Sequence, residues 1–173
     1  MPTMPTSLLS KIDQKDGLIK DGAVAWDYME DWANFYIDQL SPQKAGKFKD
    51  EKAWEKDIEK SLKENFYTVL AQKRNQFDLI VGNAIGIEVK KASAIIKSSS
   101  ERQRFLGQFD EYLKDARGDL YGLLYLFCGT KDELNHAHVK NAIEQIESNK
   151  KNQSMFDGFL MGWFTIFPGR QTK

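Results

Sequence analysis

Asp78, Glu88 and Lys90 are the residues of this chain whose types and spacing could do chemistry together. They lie in two short apolar stretches, Phe77 to Val81 and Ile85 to Val89, separated by Gly82-Asn83-Ala84. Gly and Asn tolerate the positive φ that a three-residue hairpin loop needs, so the segment reads as an antiparallel hairpin. Pairing about that loop sets Phe77 against Val89, Leu79 against Ile87 and Val81 against Ile85, all on one apolar face. The other face then carries Asp78 opposite Glu88 and Ile80 opposite Gly86, with Lys90 just beyond Glu88. A slip of one residue would scatter both sets, so the apolar pattern itself supports this register.

Directly opposed residues have Cβ atoms roughly 4.5–5.5 Å apart, and like charges there are destabilising unless something offsets them. A hard divalent cation does so, because Mg²⁺ takes carboxylate oxygens and keeps its remaining positions for water and phosphate. Lys90 shares the face by the two-residue period of a strand and brings an ammonium to the same spot. Acidic ligands, an open metal and an adjacent ammonium are what phosphodiester hydrolysis requires. The metal lowers the pKa of bound water and neutralises phosphate, while the lysine orients or activates the attacking water. The bland alternative is a solvated strand face, since Glu-x-Lys alone is a common triplet.

The elements that must position these residues follow from periodicity. From Leu18 to Leu40 the apolar positions Ala25, Met29, Trp32, Ala33, Tyr36, Ile37 and Leu40 recur at helical spacing, and Pro42 stops that helix. Gln43 to Asp50 is polar and lysine-bearing and reads as a linker. Trp54, Ile58, Leu62 and Phe66 form one stripe of a second helix. The period then becomes two. Phe66 to Gln72 reads as a strand, Lys73 to Gln76 as a turn, and Phe77 to Val81 and Ile85 to Ala92 as further strands. Ser98 to Ser100 offer N-caps for a helix running to about Arg117. Leu120 to Cys128 is a continuous apolar run suited to a central strand. Asp132 to Ser148 reads as a helix and Phe159 to Phe167 as a last strand. That order implies an α/β or α+β domain, a mixed sheet covered by helices.

With 173 residues, 41% of them hydrophobic, the chain can bury one real core. We divide it into an N-terminal helical extension, residues 1–50, and a single domain, residues 51–173. Lys and Arg number 25, as do Asp and Glu, so no global charge announces a nucleic-acid binder. Locally the balance differs: from Lys90 to Arg104, Lys90, Lys91, Lys97, Arg102 and Arg104 stand against Glu101 alone. That run suggests a phosphate-facing edge. No apolar run is long enough to span a bilayer, and Met1 to Thr6 lacks a basic region followed by an apolar one. The expectation is a soluble, cytoplasmic protein with no membrane partner. Cys128 is the one cysteine, which excludes an internal disulfide and a cysteine-rich zinc site, and it reads as a buried small hydrophobe. His136 and His138, two apart on a helix, should face away from each other and offer no metal site. Trp26, Trp32, Trp54 and Trp163 read as core or interface residues.

Asp78, a gap of nine residues, then Glu88-Val89-Lys90 resembles the PD-(D/E)xK nuclease motif, with Phe77 in place of the proline that names it. The family's core is a helix, a three-stranded meander, a helix and a fourth strand. That order resembles the one read here from about Trp54 to Cys128. The resemblance implies a restriction-endonuclease-like fold and a deoxyribonuclease dependent on Mg²⁺ or Mn²⁺. It makes Asp78 and Glu88 metal ligands and Lys90 the water-positioning group. Many members complete the site with a glutamate on the helix before the meander, for which Glu55 is the first choice and Glu59 the second. Gln108 and Tyr112 resemble the Gln-x-x-x-Tyr motif of RecB-type members. On one helix face they could brace the lysine or contact the nucleic-acid backbone, although a Tyr near Phe105 and Phe109 is also a plain core residue. Lys91, Lys97, Arg102 and Arg104 would line the DNA path. The implied setting is restriction or phage defence, recombination or repair, as a homodimer or within a larger assembly. A non-catalytic subunit of the same fold, acting as a binding or assembly module, is the competing expectation, and the neutral overall charge favours it.

Overall fold

Three antiparallel strands and two parallel ones make the sheet that positions the acids. The computed structural model describes residues 22–66, 69–71, 77–82, 85–108, 120, 122–153 and 160–168. Strands β1 (Val69–Ala71), β2 (Leu79–Val81) and β3 (Ile85–Lys91) form an antiparallel meander. Strand β4 (Gly122–Cys128) lies parallel to β3, and β5 (Leu160–Ile166) parallel to β4, so the strands stand in chain order across one mixed sheet. Parallel neighbours need long crossovers, and helices occupy both here. Between β3 and β4 come α4 (Ala92–Lys97) and α5, helical over residues 99–108. Between β4 and β5 come α6 (Lys131–Leu134) and α7 (Ala137–Gln153). Helices α1 (Gly22–Gln39), α2 (Pro42–Gly46) and α3 (Glu51–Asn65) precede the meander.

Two apolar clusters hold the layers together. On one face Leu79, Val81, Ile85, Ile87, Val89, Leu124 and Leu126 pack under α1 and α3, which contribute Met29, Trp32, Tyr36, Trp54, Ile58 and Leu62. On the other, Leu123, Tyr125, Phe127 and Met161 pack under Ala92, Ile95, Phe105, Val139 and Ile146 of the later helices. Covered on both sides, β4 is buried at every position, which is why its sequence is apolar throughout rather than alternating. The polar ends of the α1 aromatics are satisfied by α3: Trp32 Nε1 donates to Ser61 Oγ at 3.0 Å, and the Tyr36 hydroxyl donates to Asp57 Oδ2 at 2.6 Å. Helix α1 therefore shares a core with the sheet. Among the described residues no helix is long and apolar enough to cross a membrane.

Several elements differ from the sequence expectation. The lysine-bearing linker contains α2, which Pro42 opens; proline suits a first helical turn, whose N–H groups have no partner within the helix anyway. Ser41 caps α2 by accepting from Lys44 N at 3.1 Å. The strand expected from Phe66 does not begin there, because Phe66 ends α3; Tyr67, Thr68 and Gln72 lie outside the described residues. A helix not foreseen, α4, follows β3 at once, where Ala92 and Ile95 are buried. Ser98 then caps the next helix as expected, accepting from Glu101 N at 3.2 Å. The helix expected over Asp132 to Ser148 is broken at Asn135–His136, with Thr130 and Glu133 forming a capping box for α6. The break also overturns the reading of the histidines. His136 lies before α7 and accepts from His138 N at 3.0 Å, and the rings stand 5.0 Å apart instead of facing away. The turn at Lys73–Gln76, Asn83-Ala84 and the stretch from Phe109 to Arg117 lie outside the described residues.

Candidate active site

The hairpin that carries the acids is locked by its turn and its apolar face. Gly82 sits at φ 61, the left-handed conformation the tight turn requires. Leu79 pairs with Ile87, Ile80 with Gly86 and Val81 with Ile85, the register expected from the apolar pattern. Beyond Leu79 the ladder changes character. Asp78 N donates to Glu88 Oε1 at 3.0 Å, and Val89 N donates to Asp78 Oδ2 at 2.7 Å. Side-chain carboxylates thus take bonds that main-chain carbonyls would otherwise accept, and the strands part at Asp78.

That parting corrects one expectation. Phe77 is not on the face of Leu79 and Val89; it packs in the opposite cluster with Leu123, Tyr125 and Phe127. Gly86 leaves the room it needs: a Cβ there would stand 2.9 Å from the Phe77 ring, closer than real Cβ contacts allow. An aromatic side chain gains more by filling that space than by keeping to the strand alternation.

Glu88 is 2% exposed, in β3 beside Tyr125 of β4. Asp78 is half-buried at the fork. Lys90 follows on β3, with Nζ 3.6 Å from Glu88 Oε2 and its side chain only 13% exposed. Burial pushes the Asp78 carboxyl up to about 6, against the Val89 N–H that favours its charge, and the Glu55 charge adds to the rise. Burial also pushes Glu88 up, to about 8, followed by repulsion from Asp78; the Lys90 ammonium opposes this. The two acids titrate as a pair, so these steps belong to both. Carboxyl groups displaced this far, one of them in contact with a lysine, mark this fork as the candidate site.

The sequence-predicted residues have different surroundings. Asp78, Glu88 and Lys90 come together. Glu55 is buried on α3, 3.3 Å from Lys52 Nζ, and its charge acts on Asp78. Glu59 is instead paired with Lys63 at 2.6 Å. Gln108 lies on α5 with a buried Oε1 that has no hydrogen-bond partner, and Tyr112 lies outside the described residues. The basic run is divided. Lys91 donates its backbone N–H to Glu51 Oε2 at 3.1 Å and its Nζ to the Lys49 carbonyl. Arg102 Nη1 donates to the carbonyls of Ile95 and Ile96 at 2.8 and 2.9 Å, closing the end of α4. Arg104 pairs with Glu101 at 3.7 Å, and Lys97 is exposed.

No family model, curated protein or solved structure matches this chain.

Sequence reasoning missed Glu51. Its charge raises both Asp78 and Glu88, and its carboxylate holds the end of β3 through Lys91. The available signal was its place one helical turn before Glu55, which puts both acids on one face of α3. Among the described residues no three His, Cys, Asp or Glu side chains form a ready metal cage. Asp78 and Glu88 are the donors that could hold a hard cation, leaving its other positions open, and Glu55 is a buried carboxylate whose charge reaches Asp78.

Proposed function

We propose that this chain is a metal-dependent phosphodiesterase acting on DNA, built as a restriction-endonuclease-like member of the PD-(D/E)xK nucleases. The observation that carries the reading is the meeting of Asp78, Glu88 and Lys90 where two paired strands part, with both carboxyls raised chiefly by burial. The order of helix, three-stranded meander, helices and parallel strand supports it.

The oxygen donors fit Mg²⁺ or Mn²⁺, held by Asp78 and Glu88 with Glu55 as a further donor. Bound there, the ion would supply a water of lowered pKa and neutralise phosphate charge. The chain's own residues do the remainder. Lys90 Nζ, anchored near Glu88, orients the attacking water and stabilises charge developing on the phosphate. The dry wall formed by Tyr125 and the apolar residues around it strengthens these interactions. By the resemblance, Gln108 and Tyr112, four apart in sequence, would brace the lysine or contact the nucleic-acid backbone.

One observation favours a second reading, a non-catalytic subunit acting as a binding or assembly module. Each acid already accepts a main-chain N–H, as a purely structural pair would. Incubation of labelled linear, circular and branched DNA with Mg²⁺, Mn²⁺ or EDTA separates the two. The hydrolytic reading requires cleavage that EDTA and Asp78→Asn both abolish; intact DNA in every metal, with a folded protein, would leave the second reading standing.

A further inference from the structure

Helix α3 and the turn before it carry a polarity that their sequence hides. From Lys44 to Glu64 seven lysines are interspersed with six acids, and the segment reads as nearly neutral. In the fold, several of the acids are committed to the protein. Asp50 caps α3 by accepting from Ala53 N, and Glu51 accepts from Lys91 N. Glu55 is buried, and Asp57 accepts the Tyr36 hydroxyl. The lysines turn outward. Lys47, Lys49, Lys52 and Lys56 are all exposed. Among the described residues Lys47, Lys49 and Lys56 make no ion pair. Lys52 and Lys56 share a face, one turn apart.

This basic edge is tied to the carboxylates. The Lys91 side chain donates to the Lys49 carbonyl and its backbone to Glu51, which pins the turn before α3 against the end of β3. Glu88 and Lys90 lie on that same strand. By contrast, Lys91, Arg102 and Arg104 of the basic run seen in the sequence are engaged with the protein itself.

We propose that Lys47, Lys49, Lys52 and Lys56 form the edge that grips the phosphate backbone of DNA and leads it to Asp78 and Glu88. The inference rests on the hydrolytic reading above and names its substrate path. Lys52, 3.3 Å from Glu55, is the link between edge and site. An anionic lipid surface is the other polyanion these lysines fit; the adjoining acids and Lys90, which suit a phosphodiester, favour DNA.

The test is the salt dependence of binding to a fluorescent oligonucleotide in EDTA, single-stranded and duplex, with the full chain. Lys47→Gln/Lys49→Gln/Lys56→Gln should bind more weakly, and its log K against log salt slope should be shallower by about 0.9 per lysine lost on duplex. The same three positions changed to Arg should keep the parent slope, which excludes a folding defect. An unchanged slope in the Gln variant, with the loss appearing in Lys97→Gln/Arg104→Gln, overturns the proposal. So does lysine-dependent binding to phosphatidylserine vesicles with none to DNA. Cleavage assays keep the two readings apart. A parent that cleaves while the Gln variant retains its slope refutes the edge alone. A parent that binds through these lysines and never cleaves refutes the hydrolysis alone.

Discussion

Asp78 and Glu88 are bonded crosswise, each through the other's strand: the Asp78 N–H donates to the Glu88 carboxylate, while the Asp78 carboxylate accepts from Val89, the residue after Glu88. Neither acid neutralises the other. The arrangement satisfies main-chain donors and at the same time sets two carboxyls where burial opposes their ionisation.

Removing one charge while keeping an acceptor oxygen should separate those two roles. Asp78→Asn or Glu88→Gln should leave the metal-free protein as stable as the parent or more so, because each amide can still accept the N–H. Either change should abolish stabilisation by Mg²⁺, which in the parent reaches about 2.7 kcal/mol at a hundredfold excess over Kd. Thermal unfolding with and without Mg²⁺ measures both. Marked destabilisation of the metal-free variants would mean that the ionised acids are structural.

The raised carboxyls give a signed pH dependence. Between their ordinary values and the folded ones, about 6 for Asp78 and about 8 for Glu88, the folded chain holds protons that the unfolded chain has released. This contribution to stability is therefore full at low pH and is lost as pH rises through the folded values. Urea midpoints of the metal-free parent, compared with the Asp78→Asn/Glu88→Gln double variant, isolate it. The parent should lose stability relative to the variant from below pH 6 to above pH 8, and Mg²⁺ should reduce that loss. A relative gain with rising pH would contradict the assignment.

Lys90 can be tested apart from its neighbours. Lys90→Ala removes the donor near Glu88 but leaves both oxygen ligands, so calorimetry should still detect Mg²⁺ binding while hydrolysis falls by about 10²- to 10⁴-fold. Cleavage at the parent rate would place the water-positioning group elsewhere.

Glu51 and Glu55 share a helix face but should fail differently. Glu51→Ala leaves the Lys91 N–H without its acceptor and should cost about 1–3 kcal/mol of stability in urea unfolding. Glu55→Gln should change stability little and weaken Mg²⁺ binding. If Glu55→Gln binds the metal as the parent does, Glu55 acts on Asp78 only through its charge.

What the sequence determined by itself was the hairpin and the opposition it imposes. Alternating apolar residues and a turn glycine encode register locally, so Leu79 meets Ile87 and Asp78 comes to Glu88 without reference to the rest of the chain. The continuous apolar run of β4 likewise announced a strand covered on both faces. Tertiary structure decided the rest. A strand pattern says which face is apolar and not what covers the other, so neither the dryness around Glu88 nor the shift of Phe77 onto Gly86 was written in the hairpin. The roles of Glu51 and Arg102 were equally hidden. Glu51 bonds a residue 40 positions away, and Arg102 bonds the carbonyls of a helix that its own segment did not reveal. Charges in sequence are interchangeable until packing chooses which of them meet a partner. Here it turned several of the acids of α3 toward the protein and left the lysines outside.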